Sequence, residues 1–214
     1  MIEVTNLSFS YNKYNQIFKE CCFRLESDKI TLLNGANGSG KTTLCRLLSG
    51  LENNYSGRIL LNSKNINKTD IAKEISYLKQ DAENNIIAAT PDLDLEIWQT
   101  KFIFKDTENL MIKREEALKY FSIISKKDQP VWQLSGGQVK RVGLASILLH
   151  SHKYLILDEQ FSGIGKDSIK SLQEIITQRS SKGYGALIIS HDNFSMNSFC
   201  DDIFHIKNKK IYKI

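Results

Sequence analysis

Apolar and polar residues change their spacing twice along the chain, and the changes mark out its elements. Through the first eighty residues the period is two. Residues 2–4, 7–11, 17–25 and 57–61 carry β-branched or aromatic side chains at strand spacing, broken by Asn, Lys and Ser. Residues 73–78 predict a further strand. The apolar run Ile30-Thr31-Leu32-Leu33 reads as a strand, and Thr43 to Leu48 have helical spacing. Between Pro91 and Pro130 the period lengthens. Residues 92–98 and 111–125 predict helices, the second with Leu118, Phe121 and Ser122 on one face beside Ile124 and Ser125. Beyond Pro130 helix and strand alternate: 139–149 helix, 154–157 buried strand, 169–178 helix, 186–190 strand, 194–199 short helix, 203–206 last strand. That order predicts an α/β fold with a mostly parallel sheet and helices on its faces.

Composition narrows the class only a little. The 214 residues are 41% hydrophobic and 25% charged, as in an ordinary globular protein of one domain or a core with one insertion. No run of 18 apolar residues occurs, so no membrane span is expected, and Met1-Ile2-Glu3-Val4 does not open a secretory signal. Cys21, Cys22, Cys45 and Cys200 lack the spacing of a zinc site or redox pair, which fits a reducing interior. Cys21 and Cys22 should point to opposite faces of their strand. A formal charge of +5 does not demand nucleic acid. The basic end, residues 207–213, alternates with Ile206, Ile211 and Tyr212 as a solvated edge strand does.

Chemistry concentrates in five short stretches. Gly35-Ala36-Asn37-Gly38-Ser39-Gly40-Lys41-Thr42 stands between a strand and a helix, the context of a phosphate-binding loop. Glycines let successive N–H groups curl around an anion, and the helix adds its positive end. Lys41 supplies a mobile charge for β- and γ-phosphates, and the Thr42 hydroxyl can ligate Mg²⁺. Tyr154-Leu155-Ile156-Leu157 delivers Asp158 and Glu159 at a strand's carboxyl end, where an open α/β sheet binds ligands. Asp158 can hold the metal, and Glu159 can polarise a water. Leu134-Ser135-Gly136-Gly137-Gln138 opens a helix that Ser135 can cap, a second anion site. His191 follows the last core strand, within reach of a γ-phosphate. Gln80 follows the strand ending Tyr77-Leu78-Lys79.

Together these stretches resemble the ATP-binding subunits of ABC transporters, in order and spacing, over nearly the whole chain. Gly35 to Thr42, with Asn37, Gly38, Ser39, Gly40, Lys41, Thr42 and Thr43 at the phosphates, is similar to Walker A. Tyr154 to Asp158 is similar to Walker B, with Glu159 as catalytic glutamate. Leu134 to Gln138 is identical to the LSGGQ signature, whose Ser135, Gly136, Gly137 and Gln138 then meet ATP. Gln80 resembles the Q-loop glutamine, with a catalytic and metal-proximal role. His191 resembles the switch histidine, and Tyr11 the aromatic that stacks on adenine. The resemblance implies a RecA-like P-loop NTPase core, an N-terminal antiparallel β subdomain and a helical subdomain over about 82–149, in one domain of 1–214. It also implies ATP and Mg²⁺, an integral membrane transporter subunit, a second ABC ATPase subunit as homodimer or heterodimer, and a peripheral place on the cytoplasmic face of the cell membrane. Two ATPs would then be sandwiched between Lys41 of one subunit and Ser135 to Gln138 of the other.

A narrower resemblance, to the energy-coupling-factor ATPases that drive uptake of vitamins and of cobalt or nickel, rests on Leu7-Ser8-Phe9-Ser10-Tyr11 and on residues 80–90. Three departures stand out. That group usually has Pro where Ala82 stands and Gln where Asn85 stands. After Glu159, where relatives usually read Pro-Thr-Ser/Ala-Gly-Leu-Asp, this chain reads Gln160-Phe161-Ser162-Gly163-Ile164-Gly165, so Gly165 replaces the D-loop aspartate. The sequence ends soon after His191, so the C-terminal extension many members carry is not expected. Two other classes stay open: a soluble ABC ATPase outside transport, and a non-hydrolysing regulatory half of a heterodimer.

Overall fold

Successive residues of the central strands go to different cores, and this decides the layering. In the computed structural model, which describes residues 1–65, 71, 73–102, 114–149, 152–190 and 196–214, β1 (Ile2–Ser10) and β2 (Gln16–Leu25) form a hairpin, followed by β3 (Ile30–Gly35) and α1 (Lys41–Leu48). Then come β4 (Tyr55–Leu61), β5 (Lys64–Asn65), β6 (Ile75–Leu78), α2 (Pro91–Phe102), α3 (Arg114–Tyr120) and α4 (Gly136–Ile147). The chain continues with β7 (Tyr154–Asp158), α5 (Lys166–Ser180), β8 (Gly185–Ile189), β9 (Asp202–Lys207) and β10 (Lys210–Lys213).

Two sheets result. The smaller is antiparallel, in order β2-β1-β4-β5; the larger runs β10-β9-β3-β8-β7-β6 and is parallel except for β10. Tyr154 and Ile156 of β7, with Leu187 and Ile189 of β8, join a core with Leu7, Phe9 and Phe18 of the small sheet and Leu44, Leu47 and Leu48 of α1. Leu155, Leu157, Ala186 and Ile188 point the other way, into a core with Leu118, Phe121, Val142, Leu144, Leu172 and Ile176. Both faces of each central strand are covered, which is why their sequences are continuously apolar rather than alternating. Each fully buried Leu or Ile contributes on the order of 2 kcal/mol. Register levels the carboxyl ends: Leu78 pairs with Leu157, Leu157 with Ile188, and Leu32 with Ile188. The ends of β3, β6 and β7 therefore open on one edge of the sheet.

The predicted helix over 111–125 is shorter than its spacing suggests. Its described part ends at Tyr120, and Ser122 turns left-handed (φ 53°). Ile123 N donates to Leu118 O and Ser122 N to Lys119 O, a Schellman closure that seats Ile123 beside Leu118 in the core. Ser122 and Ser125 are exposed, not on the buried face; residues 111–113 lie outside the described residues. The two strands expected at 2–4 and 7–11 are one strand, with Asn6 (φ 53°) absorbing a register shift between Val4 and Leu7. The strand expected from residue 73 begins at Ile75. Phe194 and Ser195 of the expected last helix lie outside the described residues, while Met196 is helical and buried. Lys210–Lys213 is an edge strand, turned back on β9 through Asn208 and Lys209, both at positive φ. Cys21 is buried and Cys22 exposed.

Candidate active site

The loop after β3 is shaped by glycines at two positions. Gly40 (φ 108°) enters α1; a Cβ there would sit 2.5 Å from Ile17 Cγ2 and 3.1 Å from Phe18 Cζ, so conformation and space both require glycine. Gly38 (φ 75°) has open space in front of it. The α1 N-terminus carries no side-chain cap and no acid in its first turn, so its N–H groups remain free for an anion. Lys41 folds back over the loop and donates to Gly35 O at 2.8 Å and Ala36 O at 3.2 Å.

A cavity of about 420 Å³ opens above this loop. Asn37, Gly38, Gly40, Lys41, Thr42 and Thr43 line it on one side, and Tyr11, Gln80 and Glu159 on the others. Tyr11 stands just past β1 in the hairpin turn, its N–H donating to Asn15 O. Its ring meets Phe9 edge-on at 4.9 Å, and its hydroxyl lies 3.2 Å from Thr43 Oγ1. Half of the residue remains exposed to the cavity side, while Tyr14 at the hairpin tip is 96% exposed.

Asp158 ends β7 fully buried. Burial pushes its carboxyl above the ordinary range, against the Thr42 and Tyr77 hydroxyls, which favour the charged form. Tyr77 donates to Oδ2 at 3.0 Å. Among the described residues Asp158 Oδ1 is buried with no hydrogen-bond partner. A buried carboxylate oxygen without a partner, on an acid that the Thr42 hydroxyl of the phosphate loop also reaches, suits a hard divalent cation. Glu159, next in the chain, takes a left-handed backbone (φ 54°), and its N–H donates to Ile189 O. Its Oε2 accepts from Gln80 Nε2 at 2.8 Å. Gln80, from the end of β6, and Glu159, from the end of β7, thus meet over the loop from positions 79 residues apart.

Ser135 to Gln138 are built differently. Ser135 accepts from Gln138 N through Oγ, and its own N–H donates to Gln138 Oε1 at 2.8 Å, a reciprocal capping box. These residues do not line the Lys41 cavity. Gly137 packs closely on the Gly163 carbonyl, and Lys140 one turn on donates to Glu159 O at 3.0 Å and Ser162 O at 3.1 Å. Ser135 to Gln138 therefore lie away from that cavity, on a helix tied to the strand end that carries Glu159.

The sequence profile described as "ABC transporter" matches residues 18–162, more than half of the chain, and covers the loop, Gln80, Ser135 to Gln138, Asp158 and Glu159. The chain belongs to the ABC transporter family, as an ATP-binding domain. It is 33% identical over 198 residues to the energy-coupling factor transporter ATP-binding protein EcfA1 of Fusobacterium nucleatum, a match that covers 90% of this chain and 74% of that protein. An ABC transporter ATP-binding relative in Bacillus cereus is 31% identical over 216 residues; this chain spans 38% of its length. Among solved structures, CbiO1 of Clostridium perfringens, described as part of the ABC transporter complex cbiONQ, superposes with a TM-score of 0.78 at 27% identity, covering 99% of this chain and 86% of that one. The fold is the α/β P-loop NTPase fold with an antiparallel β subdomain.

In this ABC domain the structure gathers Tyr11, the loop, Gln80, Asp158 and Glu159 at one place and leaves Ser135 to Gln138 at another. His191 lies outside the described residues. Four residues that line or brace the site were not legible as such. Tyr77, Asn85, Lys140 and Gln160 each make hydrogen bonds to site residues or their neighbours. Asn85 and Gln160 left a trace in the sequence, as residues where relatives usually have glutamine and proline; Tyr77 and Lys140 left none.

Proposed function

We propose that the chain is the ATP-hydrolysing subunit of an energy-coupling-factor-type importer, with residues 82–149 as its helical subdomain. The observation that carries the reading is the Gln80–Glu159 hydrogen bond across the mouth of the phosphate loop. ATP places its triphosphate on the loop N–H groups and its adenine against the half-exposed Tyr11 ring. Lys41 exchanges its two carbonyl partners for phosphate oxygens. Thr42 and the orphaned Asp158 oxygen would hold Mg²⁺, which when bound neutralises charge on the β- and γ-phosphates. Glu159 accepts a hydrogen bond from a water, and Gln80 holds the carboxylate that does so. The water oxygen bonds to the γ-phosphorus as the bond to the β–γ bridging oxygen breaks; ADP takes the electron pair, and the water's proton passes to solvent or phosphate.

Two partners follow. Ser135 to Gln138, capped and turned away from this chain's cavity, suit the phosphates of ATP on a second ATPase subunit. An apolar cleft of about 280 Å³ beside the Gln80 segment, with Leu51 and Ile87 more than half exposed, suits an integral membrane subunit. No helix among the described residues is long and apolar enough to cross a membrane. The domain then works at the cytoplasmic face through that partner.

One observation favours a second reading, a regulatory half of a heterodimer. Gly165, in place of the D-loop aspartate, takes φ 81°, which side-chain-bearing residues rarely adopt. ATP hydrolysis measured for the chain alone and with its membrane and ATPase partners separates the two. Turnover that Glu159→Gln in this chain abolishes supports the hydrolytic role, and turnover indifferent to that change supports the regulatory one.

A further inference from the structure

The β6–β7 ladder stops one residue short of the site, and side chains continue it. The last paired residues are Leu78 and Leu157. Just beyond, Gln160, only 1% exposed, donates through Nε2 to Lys79 O at 2.8 Å and to Asp158 O at 2.9 Å. Lys79 and Asp158 immediately precede Gln80 and Glu159. One carboxamide, using both of its N–H groups, thus bolts together the backbones that carry the pair. Lys79 is held again from the opposite side. Its N–H donates to Asn85 Oδ1 at 2.8 Å, and its carbonyl accepts from Asn85 Nδ2 at 2.9 Å. Asn85 belongs to the turn Ala82–Asn85, is buried, and packs on Gly143 of α4. Two of the departures from the family pattern, at 85 and at 160, converge on the same carbonyl oxygen and fill both of its acceptor positions.

We propose that Gln160 is a positioning residue for hydrolysis: its buried carboxamide, braced by Asn85 through the Lys79 carbonyl, sets the spacing of Gln80 and Glu159. The inference rests on reading that pair as the water-orienting machinery. Burying a carboxamide without partners is costly, and this one has its donors used on two backbone carbonyls, so the geometry it imposes is stiff. Reaction rates respond steeply to such spacing, since misplacement by about 1 Å can cost two orders of magnitude. Asn85 stands in the segment between α4 and the apolar cleft, so displacement there reaches the pair through two hydrogen bonds.

Gln160→Met keeps the length of the side chain and removes its donors. In the full chain with its partner subunits, kcat for ATP hydrolysis should fall about tenfold or more, with KM for ATP within about twofold, because the Tyr11 and Lys41 contacts are untouched. In a Gln80→Ala background the same change should add less than about twofold, because its target is already gone. A rate within twofold of the wild type, or an equal loss in both backgrounds, overturns the proposal; the second result is what mere loss of stability gives. Glu159→Gln is assayed alongside. If it turns over normally, the reading of the pair fails; if it is dead while Gln160→Met is fully active, only the role of Gln160 fails. Should the methionine variant not fold, hydrogen exchange in the wild-type chain decides. Slow exchange of the Gln160 side-chain amide protons, slowed further by a non-hydrolysable ATP analogue, supports the proposal, and exchange as fast as that of an exposed glutamine overturns it.

Discussion

Gln80 Nε2 stands 2.8 Å from Glu159 Oε2, so an amide and a carboxylate from different strand ends share one hydrogen bond at the edge of the nucleotide cavity. Glu159 cannot turn freely, since its backbone is left-handed and its N–H is bound to Ile189 O. Glu159→Gln keeps the shape and loses the charge. Hydrolysis should fall by a factor on the order of 10² or more, with ATP still bound. Trapped ATP should then join two ATPase subunits, seen as a dimer by size-exclusion chromatography, and Ser135→Arg should abolish that dimer by filling the capped turn. Wild-type turnover in Glu159→Gln refutes the catalytic role.

Among the described residues Lys41 donates to two carbonyls, at 2.8 and 3.2 Å, and they belong to the loop it serves. Lys41→Ala should weaken ATP binding by more than about tenfold, roughly 1.4 kcal/mol. A titration that leaves affinity within about threefold of wild type removes Lys41 from the phosphate site.

Ring and hydroxyl of Tyr11 have separate neighbours, Phe9 and Thr43. Tyr11→Ala should lose on the order of 1 kcal/mol of ATP affinity, the worth of an aromatic contact. Tyr11→Phe should stay within about twofold in the same titration. Equal losses in both variants would assign the effect to the Thr43 hydroxyl contact instead of stacking. An effect of Tyr14→Ala matching that of Tyr11→Ala would move the stacking role to the hairpin tip.

Asp202 begins β9 almost buried, between Lys213 at 2.8 Å and Lys29 at 3.3 Å. Burial pushes its carboxyl up, but the bonded ammoniums of Lys213 and Lys29 outweigh it and hold it below the usual range. A depressed folded-state value contributes stability above the unfolded value of about 3.9, lost as pH falls through the folded one. Asp202→Asn should therefore cost about 1 kcal/mol near neutral pH. Urea denaturation should show the difference between wild type and variant shrinking below about pH 4. A difference that does not change with pH would show that packing, not charge, fixes this end of the sheet.

Legibility followed distance along the chain. Gly35 to Thr42 could be read because strand, loop and helix lie within a few residues, and each glycine answers a local need: Gly40 at φ 108°, Gly38 at φ 75°. Ser135 and Gln138 could be read for the same reason, since a capping box closes over four residues. The parallel strands were visible as apolar runs because both of their faces are buried. The end of α3 was not, because the Schellman closure at Ser122 leaves the apolar spacing intact while the backbone stops being helical. What only the tertiary structure decided is which side chains meet: Tyr77 with Asp158, Gln80 with Glu159, and Asn85 with Gln160 on the Lys79 carbonyl. Apart from the Asn85 bond, which spans six residues, those bonds join segments 79 to 81 residues apart, and their partners are set by the parallel register of β6 on β7. A hydrogen bond needs its atoms within about 3 Å, and no spacing in a single chain specifies that until the sheet has brought the strand ends level.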